Sequence, residues 1–286
     1  MITPLPAGDS TRTLNVGDRN RSYDLHMPWK YEARKPMPVV LAFHGATSNA
    51  RLMRSFCGLS EKAETAGFVA VYPNGTGHTD KVLTWNAGNC CGYAKNYAVD
   101  DVAYVRALLD DLATVVDVDP RRVYAAGMSN GAMMAYRLAA ECTDRFAAIA
   151  AVAGPMGIDD PRPTRPVPII HIHGTDDLFA PYHGGVGQRS LYGTPFLSVA
   201  DTIAAWVRIN RCDPTPTVVE EPPTVDDGTR IVRHLYRGDA PVTLITIEGG
   251  GHTWPGRPPF PEGLGKSTQN LHANDVIWDF FANGNQ

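Results

Sequence analysis

The sequence predicts an α/β fold in which a mostly parallel, twisted sheet is covered by helices on both faces. Strand-like and helix-like segments alternate through most of the chain, and neither an internal repeat nor a long linker divides it. The 286 residues, 43% of them hydrophobic, are enough to bury a sizeable core. We therefore expect one domain that spans residues 1–286.

The expected strands are short apolar runs, and the expected helices have apolar residues at helical spacing. Strands are placed at residues 21–26, 38–43, 68–72, 122–126, 147–152, 167–173, 231–236 and 242–247. Helices are placed at residues 100–116, with Asp100 or Asp101 as N-cap, and at 132–140, 202–210 and 274–281. The proline-rich segments 161–168, 214–223 and 255–261 are interpreted as surface loops.

The composition argues against several kinds of partner. A formal net charge of −4 does not favour binding to nucleic acid or to an anionic membrane surface. No apolar run approaches the length of a membrane span. Residues 1–6 lack the basic and apolar regions of a signal peptide. A cytoplasmic protein and an exported protein whose signal has been removed would both begin in this way.

The stretch Gly127-Met128-Ser129-Asn130-Gly131 reads G-x-S-x-G and lies where a strand should turn into a helix. A serine on so tight a turn is lifted out of the strand with its hydroxyl exposed. A Cβ at either glycine would crowd the neighbouring strand or helix. The motif alone is a weak signal, because small residues are common in turns. The strand before it and the helix after it make it specific. The pattern predicts Ser129 as a nucleophile that forms an acyl-enzyme.

An α/β-hydrolase needs an acid and then a histidine after the serine along the chain. Asp176 and Asp177 follow the strand at 167–173, and either could be the acid. We prefer Asp177 and keep Asp176 as the alternative. His252 follows the strand at 242–247 after three glycines. This histidine would take the serine proton and return it to the leaving alcohol.

Two backbone N–H groups should stabilise the negative oxygen that develops during acyl transfer. One follows the nucleophile directly and belongs to Asn130. The second should come from the segment after the strand at 38–43, and we assign it to Ala46. His44 in that segment is interpreted as a structural residue. No metal or cofactor is expected, because His171 and His173 alternate along a strand without an evident third ligand.

The odd number of cysteines leaves at least one thiol without an internal partner. The five are Cys57, Cys90, Cys91, Cys142 and Cys212. They form no C-x-x-C motif, which argues against a structural zinc site. Adjacent cysteines rarely bond to each other, because that strains the peptide between them. One disulfide to a distant cysteine and a set of free buried thiols both remain open.

With these pieces placed, the chain resembles the poly(3-hydroxybutyrate) depolymerase and feruloyl esterase family of α/β-hydrolases, from about residue 21 to residue 281. The most specific matching segments are residues 85–92 and 250–256, and the others are residues 43–45, 99–102, 127–131, 133–136 and 173–175. The resemblance implies the same Ser129, Asp177 and His252 triad. It also implies export from the cell.

The resemblance further implies that Cys90 or Cys91 is bridged to Cys142. The resemblance also implies a second cysteine pair, which in many relatives involves the position of Cys212. Here residues 237–240 contain no cysteine that could be its partner.

The substrate is less clearly indicated than the chemistry. Trp85 and Trp254 lie beside the proposed site, and an indole could stack on a feruloyl ring. We therefore favour a feruloyl (hydroxycinnamoyl) esterase that acts on a small or oligomeric ester. A poly(3-hydroxybutyrate) or hydroxyalkanoate oligomer depolymerase is the alternative, because the same triad would serve it. A non-catalytic polysaccharide- or polymer-binding protein is the third hypothesis.

Overall fold

A computed structural model describes residues 5–32, 35–259 and 263–283. Within these ranges the chain forms one ten-stranded sheet. The strands are β1 (Gly8–Val16), β2 (Arg19–Met27), β3 (Met37–Phe43), β4 (Val69–Pro73), β5 (Val118–Met128), β6 (Ala148–Val152), β7 (Ile169–Gly174), β8 (Thr217–Glu221), β9 (Arg230–Tyr236) and β10 (Val242–Glu248). The helices are α1 (Ala50–Cys57), α2 (Leu59–Ala66), α3 (Gly92–Asn96), α4 (Asp101–Leu112), α5 (Asn130–Glu141), α6 (Val199–Ile209) and α7 (Ala273–Asn283).

The strand order is β1-β2-β4-β3-β5-β6-β7-β10-β9-β8. Strands β4, β3, β5, β6, β7 and β10 run parallel at the centre of the sheet. The antiparallel pairs β1–β2 and β9–β8 extend the two edges. The predicted α/β fold with a mostly parallel sheet is therefore confirmed. Because parallel strands share their carboxyl ends, the loops after β3, β5, β7 and β10 meet at one edge.

Helices cover both faces of the sheet, as predicted. One core cluster lies between the sheet and helices α4, α5 and α6. A second cluster lies between the opposite face and helices α1, α2 and α7. The side chains of β3 alternate between the two, with Leu41 in the first and Val40 and Ala42 in the second.

Several predicted boundaries differ from the structure. Helix α4 has Asp100 as its N-cap, where the carboxylate accepts from the N–H of Ala103, and it ends at Leu112 rather than at residue 116. The segment 214–223, predicted as a loop, contains the exposed edge strand β8. Strand β1 and the short helices α1, α2 and α3 were not predicted. The end of the predicted loop 255–261 and the start of the chain used to judge export lie outside the described residues.

In the part of the chain that the structure describes, no helix combines the length and the apolar character needed to cross a membrane.

Candidate active site

Ser129 lies on the turn between β5 and α5, with backbone angles φ 56° and ψ −121°. A positive φ is rare for a residue with a side chain, and such strained positions recur at functional sites. The turn is held on both sides, because the Ser129 N–H donates to the carbonyl of Val152 and its carbonyl accepts from the N–H of Met133. These contacts keep the hydroxyl at the end of the sheet, where it lines a cavity.

The glycines around Ser129 permit close backbone approach. A Cβ on Gly131 would meet the carbonyl of Phe43 at the end of β3, and one on Gly127 would meet the carbonyl of Gly131. Gly154, which was not predicted from the sequence, has the same function: it lies two residues after β6, and a Cβ there would meet the carbonyl of Ser129. The tight turn therefore depends on three glycines, not two.

His252 lines the same cavity as Ser129, and its Nδ1 is 2.7 Å from Oδ2 of Asp177. The other oxygen of Asp177 accepts from the N–H groups of Phe179 (2.8 Å) and Ala180 (2.9 Å). Asp176, the alternative acid, is exposed and accepts from the Thr175 hydroxyl. The structure therefore brings Asp177, and not Asp176, to His252.

Asp177 is buried, and burial by itself would raise its pKa. Electrostatic attraction to the His252 ring and the hydrogen bonds from His173 and His252 outweigh burial, so the pKa of Asp177 lies well below its usual range. Asp177 is therefore a carboxylate at neutral pH, and Nδ1 of His252 donates to it. This arrangement leaves Nε2 of His252 as the nitrogen that can accept a proton.

A buried chain of hydrogen bonds supports Asp177 from behind. Nε2 of His173 lies 2.8 Å from the carbonyl of Ala180 and 3.3 Å from Oδ2 of Asp177. Its Nδ1 faces Nε2 of His171 at 3.0 Å, and Nδ1 of His171 faces the Tyr136 hydroxyl at 2.8 Å. Because the Ala180 carbonyl and the Asp177 carboxylate only accept, His173 donates to them through Nε2. Nδ1 of His173 then accepts from His171, and His171 accepts from the Tyr136 hydroxyl. In this arrangement each ring nitrogen and the Tyr136 hydroxyl have a hydrogen-bond partner.

The electrostatics of this chain agree with that direction of donation. Burial and the proximity of His173 hold the pKa of His171 well below its usual value, so His171 is neutral at physiological pH. The pair is therefore a structural feature beneath the acid.

The residues predicted to supply the oxyanion donors, Ala46 and Asn130, both lie near Ser129. Ala46 lines the cavity, and a Cβ on the preceding Gly45 would lie 3.4 Å from Cβ of Ser129. Asn130 begins α5 with its side chain buried. The N–H groups at helix N-termini are free to bind negative charge.

Trp85 does not line the cavity, contrary to the expectation that its indole binds substrate. It is fully buried, and its Nε1–H donates to the carbonyl of His44 at 3.0 Å. Its backbone N–H donates to Oδ1 of Asn130, and its carbonyl accepts from Nδ2 of the same residue. Trp85 thus ties the loop after β3 to the start of α5, which are the two segments that carry Ala46 and Asn130.

Trp254 is likewise fully buried, contrary to the expectation that its indole contacts substrate. Its Nε1–H donates to Oδ1 of Asn274 at 2.9 Å. Asn274 in turn donates to the carbonyls of Cys57 (2.8 Å) and Gly58 (3.1 Å). The indole therefore anchors the loop that carries His252 to α7 and to the junction of α1 and α2.

The bridge from Cys90 or Cys91 to Cys142 that the resemblance implies is not formed in the structure, where Cys142, at the end of α5, is buried and free. Cys90 and Cys91 belong to a closed loop in which the N–H of Cys91 donates to the carbonyl of Trp85. Burial raises the pKa of the Cys142 thiol to about 11, so it stays protonated.

The missing partner of Cys212 is explained by its surroundings. Its thiol is buried and donates to the carbonyl of Ala240 at 3.2 Å, and a Cβ on Gly238 would meet its backbone. The segment 237–240 therefore packs directly on Cys212 without a disulfide.

The cavity has a volume of about 720 Å³ and a mainly apolar lining. Most of the residues that form its walls were not predicted from the sequence, among them Leu52, Phe56, Phe179, Arg189, Leu191 and Leu264. Phe179 packs against the His252 ring, with ring centroids 5.0 Å apart. Leu52 and Phe56 come from α1, and the other four residues come from irregular loops, which carry no periodic pattern.

The buried ring of His44 should make the stability of the protein depend on pH. Its Nδ1 donates to the carbonyl of Gly45, and its Nε2 accepts from the N–H of Gly75 at 3.0 Å. Burial lowers the pKa of His44 to about 4, below the value of about 6.5 expected in the unfolded chain. Between these values only the unfolded state binds the proton, so stability is lost as pH falls.

We expect His44→Gln to reduce this loss. Between pH 7 and pH 4.5 the wild type should lose roughly 2 kcal/mol more unfolding free energy than the variant. Urea unfolding at several pH values measures the unfolding free energy of both proteins. Comparing how this free energy changes with pH removes any constant destabilisation by the substitution. Parallel pH curves for the two proteins would contradict the assignment of a neutral His44.

The sheet and the serine turn define the α/β-hydrolase class. The chain belongs to the esterase PHB depolymerase family, whose pattern matches residues 21–209. It is similar to the protein named "Putative esterase NocK" from Nocardia uniformis subsp. tsuyamanensis, with 33% identity over 98% of this chain and 85% of that protein. Family and relatives together make the chain a carboxylic-ester hydrolase.

A second relative is feruloyl esterase B from Piromyces equi, which is 27% identical over 91% of this chain. The chain spans 44% of the length of that protein. Among solved structures, acetyl xylan esterase from Aspergillus awamori superposes with a TM-score of 0.62 at 16% identity, covering 96% of this chain and 99% of that one. This likeness shows the shared fold.

Proposed function

We propose that the chain is a single catalytic domain in which Ser129, His252 and Asp177 hydrolyse carboxylic esters through an acyl-enzyme. The observation that carries the proposal is the hydrogen bond between His252 and a buried Asp177 beside the cavity that Ser129 lines. His252 takes the serine proton as the hydroxyl oxygen attacks the ester carbonyl carbon. It then returns that proton to the leaving alcohol, and water releases the acid by the same steps.

The N–H groups of Ala46 and Asn130 would bind the oxygen that becomes negative when the carbonyl is attacked. Their support comes from Trp85, which is hydrogen bonded to both segments. This assignment places Trp85 in the rigid surroundings of the site instead of in contact with substrate. Rigidity matters because the donors must already point at the oxygen when its charge develops.

For the acyl group we propose a hydroxycinnamoyl residue such as feruloyl. The cavity walls include Phe56 and Phe179, and an aromatic acid can pack against such rings in offset or edge-to-face geometry. A cavity of about 720 Å³ falls within the range of small-molecule sites. The relative named feruloyl esterase B supports the same acyl group.

A substrate comparison tests the acyl group. We expect kcat/KM on methyl ferulate to exceed kcat/KM on a 3-hydroxybutyrate trimer by at least about tenfold, because the trimer lacks an aromatic ring to fill the cavity. Phe179→Ala should narrow this ratio by raising KM for methyl ferulate. A ratio that favours the trimer would instead identify a hydroxyalkanoate oligomer depolymerase.

Labelling with a serine-directed phosphonate tests catalysis separately. Mass spectrometry of the labelled chain should place the phosphonate on Ser129. An unlabelled chain with no turnover of either ester would support a non-catalytic binding protein.

A further inference from the structure

Behind the triad acid, three polar side chains cross the apolar core in a row between β7 and α5. This buried row consists of Tyr136, His171 and His173, and no more than 1% of any of them is exposed. On β7 the two histidines alternate with Ile170 and Ile172, which belong to the opposite core cluster. Apolar side chains here would avoid the free-energy cost of removing polar groups from water. A polar row directly behind a catalytic carboxylate therefore points to a role for its hydrogen bonds.

The protons of the buried row have only one favourable order. Nε2 of His173 faces two acceptors, the Ala180 carbonyl at 2.8 Å and Oδ2 of Asp177 at 3.3 Å. In the reverse order His173 would turn a lone pair toward both oxygens, which is repulsive. The Tyr136 hydroxyl would then accept from His171, and its O–H would lose the acceptor that it has now. Both ends therefore select the order that begins at Tyr136 and presents an N–H to Asp177.

His173 also holds the turn that carries Asp177. The N–H of Ala180 donates to Oδ1 of Asp177 at 2.9 Å, and the Ala180 carbonyl accepts from His173. Ala180 is thus tied to the carboxylate on one side and to the imidazole on the other. Because Oδ1 also accepts from the N–H of Phe179, rotation of the carboxylate would break two hydrogen bonds at once. The other oxygen, Oδ2, is left between His173 and His252.

The far end of the buried row lies on the nucleophile helix. Tyr136 belongs to α5, which begins directly after Ser129. Its hydroxyl lies 2.8 Å from Nδ1 of His171, and the row continues to His173 on the strand that leads to Asp177. The helix behind the nucleophile and the turn behind the acid are therefore joined through the core. Such a link tolerates little displacement, because hydrogen bonds weaken steeply as their geometry departs from the ideal.

We propose that the buried row positions the catalytic acid, with His173 as the member that acts on it directly. Its N–H fixes the Asp177 carboxylate from the side opposite His252, and the other two members fix the direction of that N–H. None of the three is among the described residues that line the cavity. The row should therefore contribute to kcat and not to the binding of the ester. The proposal rests on the proposed function, because it takes the triad as given.

Two substitutions of one residue separate positioning from packing. His173→Gln keeps an amide N–H near the position of Nε2, and His173→Met has a similar length without a donor. We expect His173→Met to lower kcat on methyl ferulate at least about tenfold with KM within about twofold, because the lost interaction acts on the reacting groups alone. His173→Gln should restore kcat to within about threefold of the wild type.

A purely structural role for His173 gives a different result. Both variants remove the imidazole, so both would lose stability while the folded fraction of each kept the same kcat. Equal kcat values for His173→Gln and His173→Met would therefore overturn the proposal. A rise in KM that accounts for the whole loss in His173→Met would overturn it as well.

Tyr136→Phe tests the far end of the row with a smaller change. It removes one hydroxyl and leaves Nδ1 of His171 without its donor. We expect kcat to fall roughly three- to tenfold at unchanged KM. Tyr72→Phe is the matched control, because the buried Tyr72 lies in the opposite core cluster with its hydroxyl 2.8 Å from that of Ser60. It should keep the wild-type kcat, and a loss shared by both tyrosine variants, or by neither, would contradict the proposed order.

Proton NMR tests the positioning of the acid without turnover. The Nδ1 proton of His252, which Asp177 accepts, should give a low-field resonance that is assigned by its absence in His252→Gln. We expect His173→Gln to keep this resonance, and His173→Met to shift it or to lose it through exchange with water. An unchanged resonance in His173→Met would overturn the proposal. If the wild type hydrolysed no ester while the resonance still responded to His173→Met, the proposed function alone would be refuted.

Discussion

Replacing Ser129 with alanine is expected to lower kcat on p-nitrophenyl acetate and on methyl ferulate by roughly 10⁵-fold or more. The variant keeps the cavity and the backbone donors but has no oxygen to form the acyl-enzyme. Because alanine also tolerates the positive φ of Ser129 poorly, the strain at the turn is not relieved by the change. Initial rates of p-nitrophenol release, with enzyme at micromolar concentration, measure the loss.

The control for this prediction is Ser190→Ala. Ser190 lies between two residues that line the cavity, but its own side chain is not part of the lining. We expect this variant to keep wild-type rates and to be labelled by the phosphonate at Ser129. Thermal unfolding of both variants shows whether either change disturbs the fold. Turnover by Ser129→Ala within a factor of ten of the wild type would refute the assignment of the nucleophile.

The central strands were predictable because they are buried on both faces and therefore read as apolar runs. The edge strands were not. In β1 half-buried residues alternate with exposed ones, and β8 is exposed along most of its length within a proline-rich segment. Their place in the sheet is set by pairing with β2 and β9, which a local pattern does not encode.

The serine, acid and histidine could be proposed from the sequence because each lies within a few residues of the end of a predicted strand, and chain order then limits the choice. The direction of a side chain could not be predicted in the same way. Trp85 and Trp254 are close to the site residues in the sequence, but both indoles are buried in the core. Their N–H groups donate to the carbonyl of His44 and to the side-chain oxygen of Asn274. A buried indole N–H needs such a partner, and the partners are distant along the chain.

Replacing Asp177 with asparagine is expected to lower kcat on the same esters by roughly 10⁴-fold at neutral pH. The carboxylate now accepts three hydrogen bonds, and Nε2 of His173 lies 3.3 Å from its second oxygen. The N–H groups of Phe179 and Ala180 bind Oδ1, and the rings of His173 and His252 face Oδ2. An asparagine has one oxygen, and the two backbone donors hold that oxygen in place of Oδ1.

The amide nitrogen of the variant then faces His252. It would donate to Nδ1 of His252 and select the tautomer with the proton on Nε2. That tautomer cannot take the proton of Ser129, so attack on the ester slows. The amide nitrogen would also face Nε2 of His173, which is buried and donates to the Ala180 carbonyl. Two N–H groups would then point at each other. We therefore expect a loss of stability of about 1–3 kcal/mol along with the loss of activity.

Asp176→Asn is the matched control, because it makes the same chemical change one residue earlier in the chain. Asp176 is exposed, and its carboxylate accepts from the neighbouring Thr175 hydroxyl. Its kcat should stay within about twofold of the wild type, since surface substitutions rarely disturb a distant geometry. Measuring kcat and the urea midpoint for both variants separates the two aspartates. If Asp176→Asn were the inactive variant and Asp177→Asn the active one, the acid would have to be reassigned to Asp176, and the buried chain from Tyr136 to His173 would have no part in catalysis.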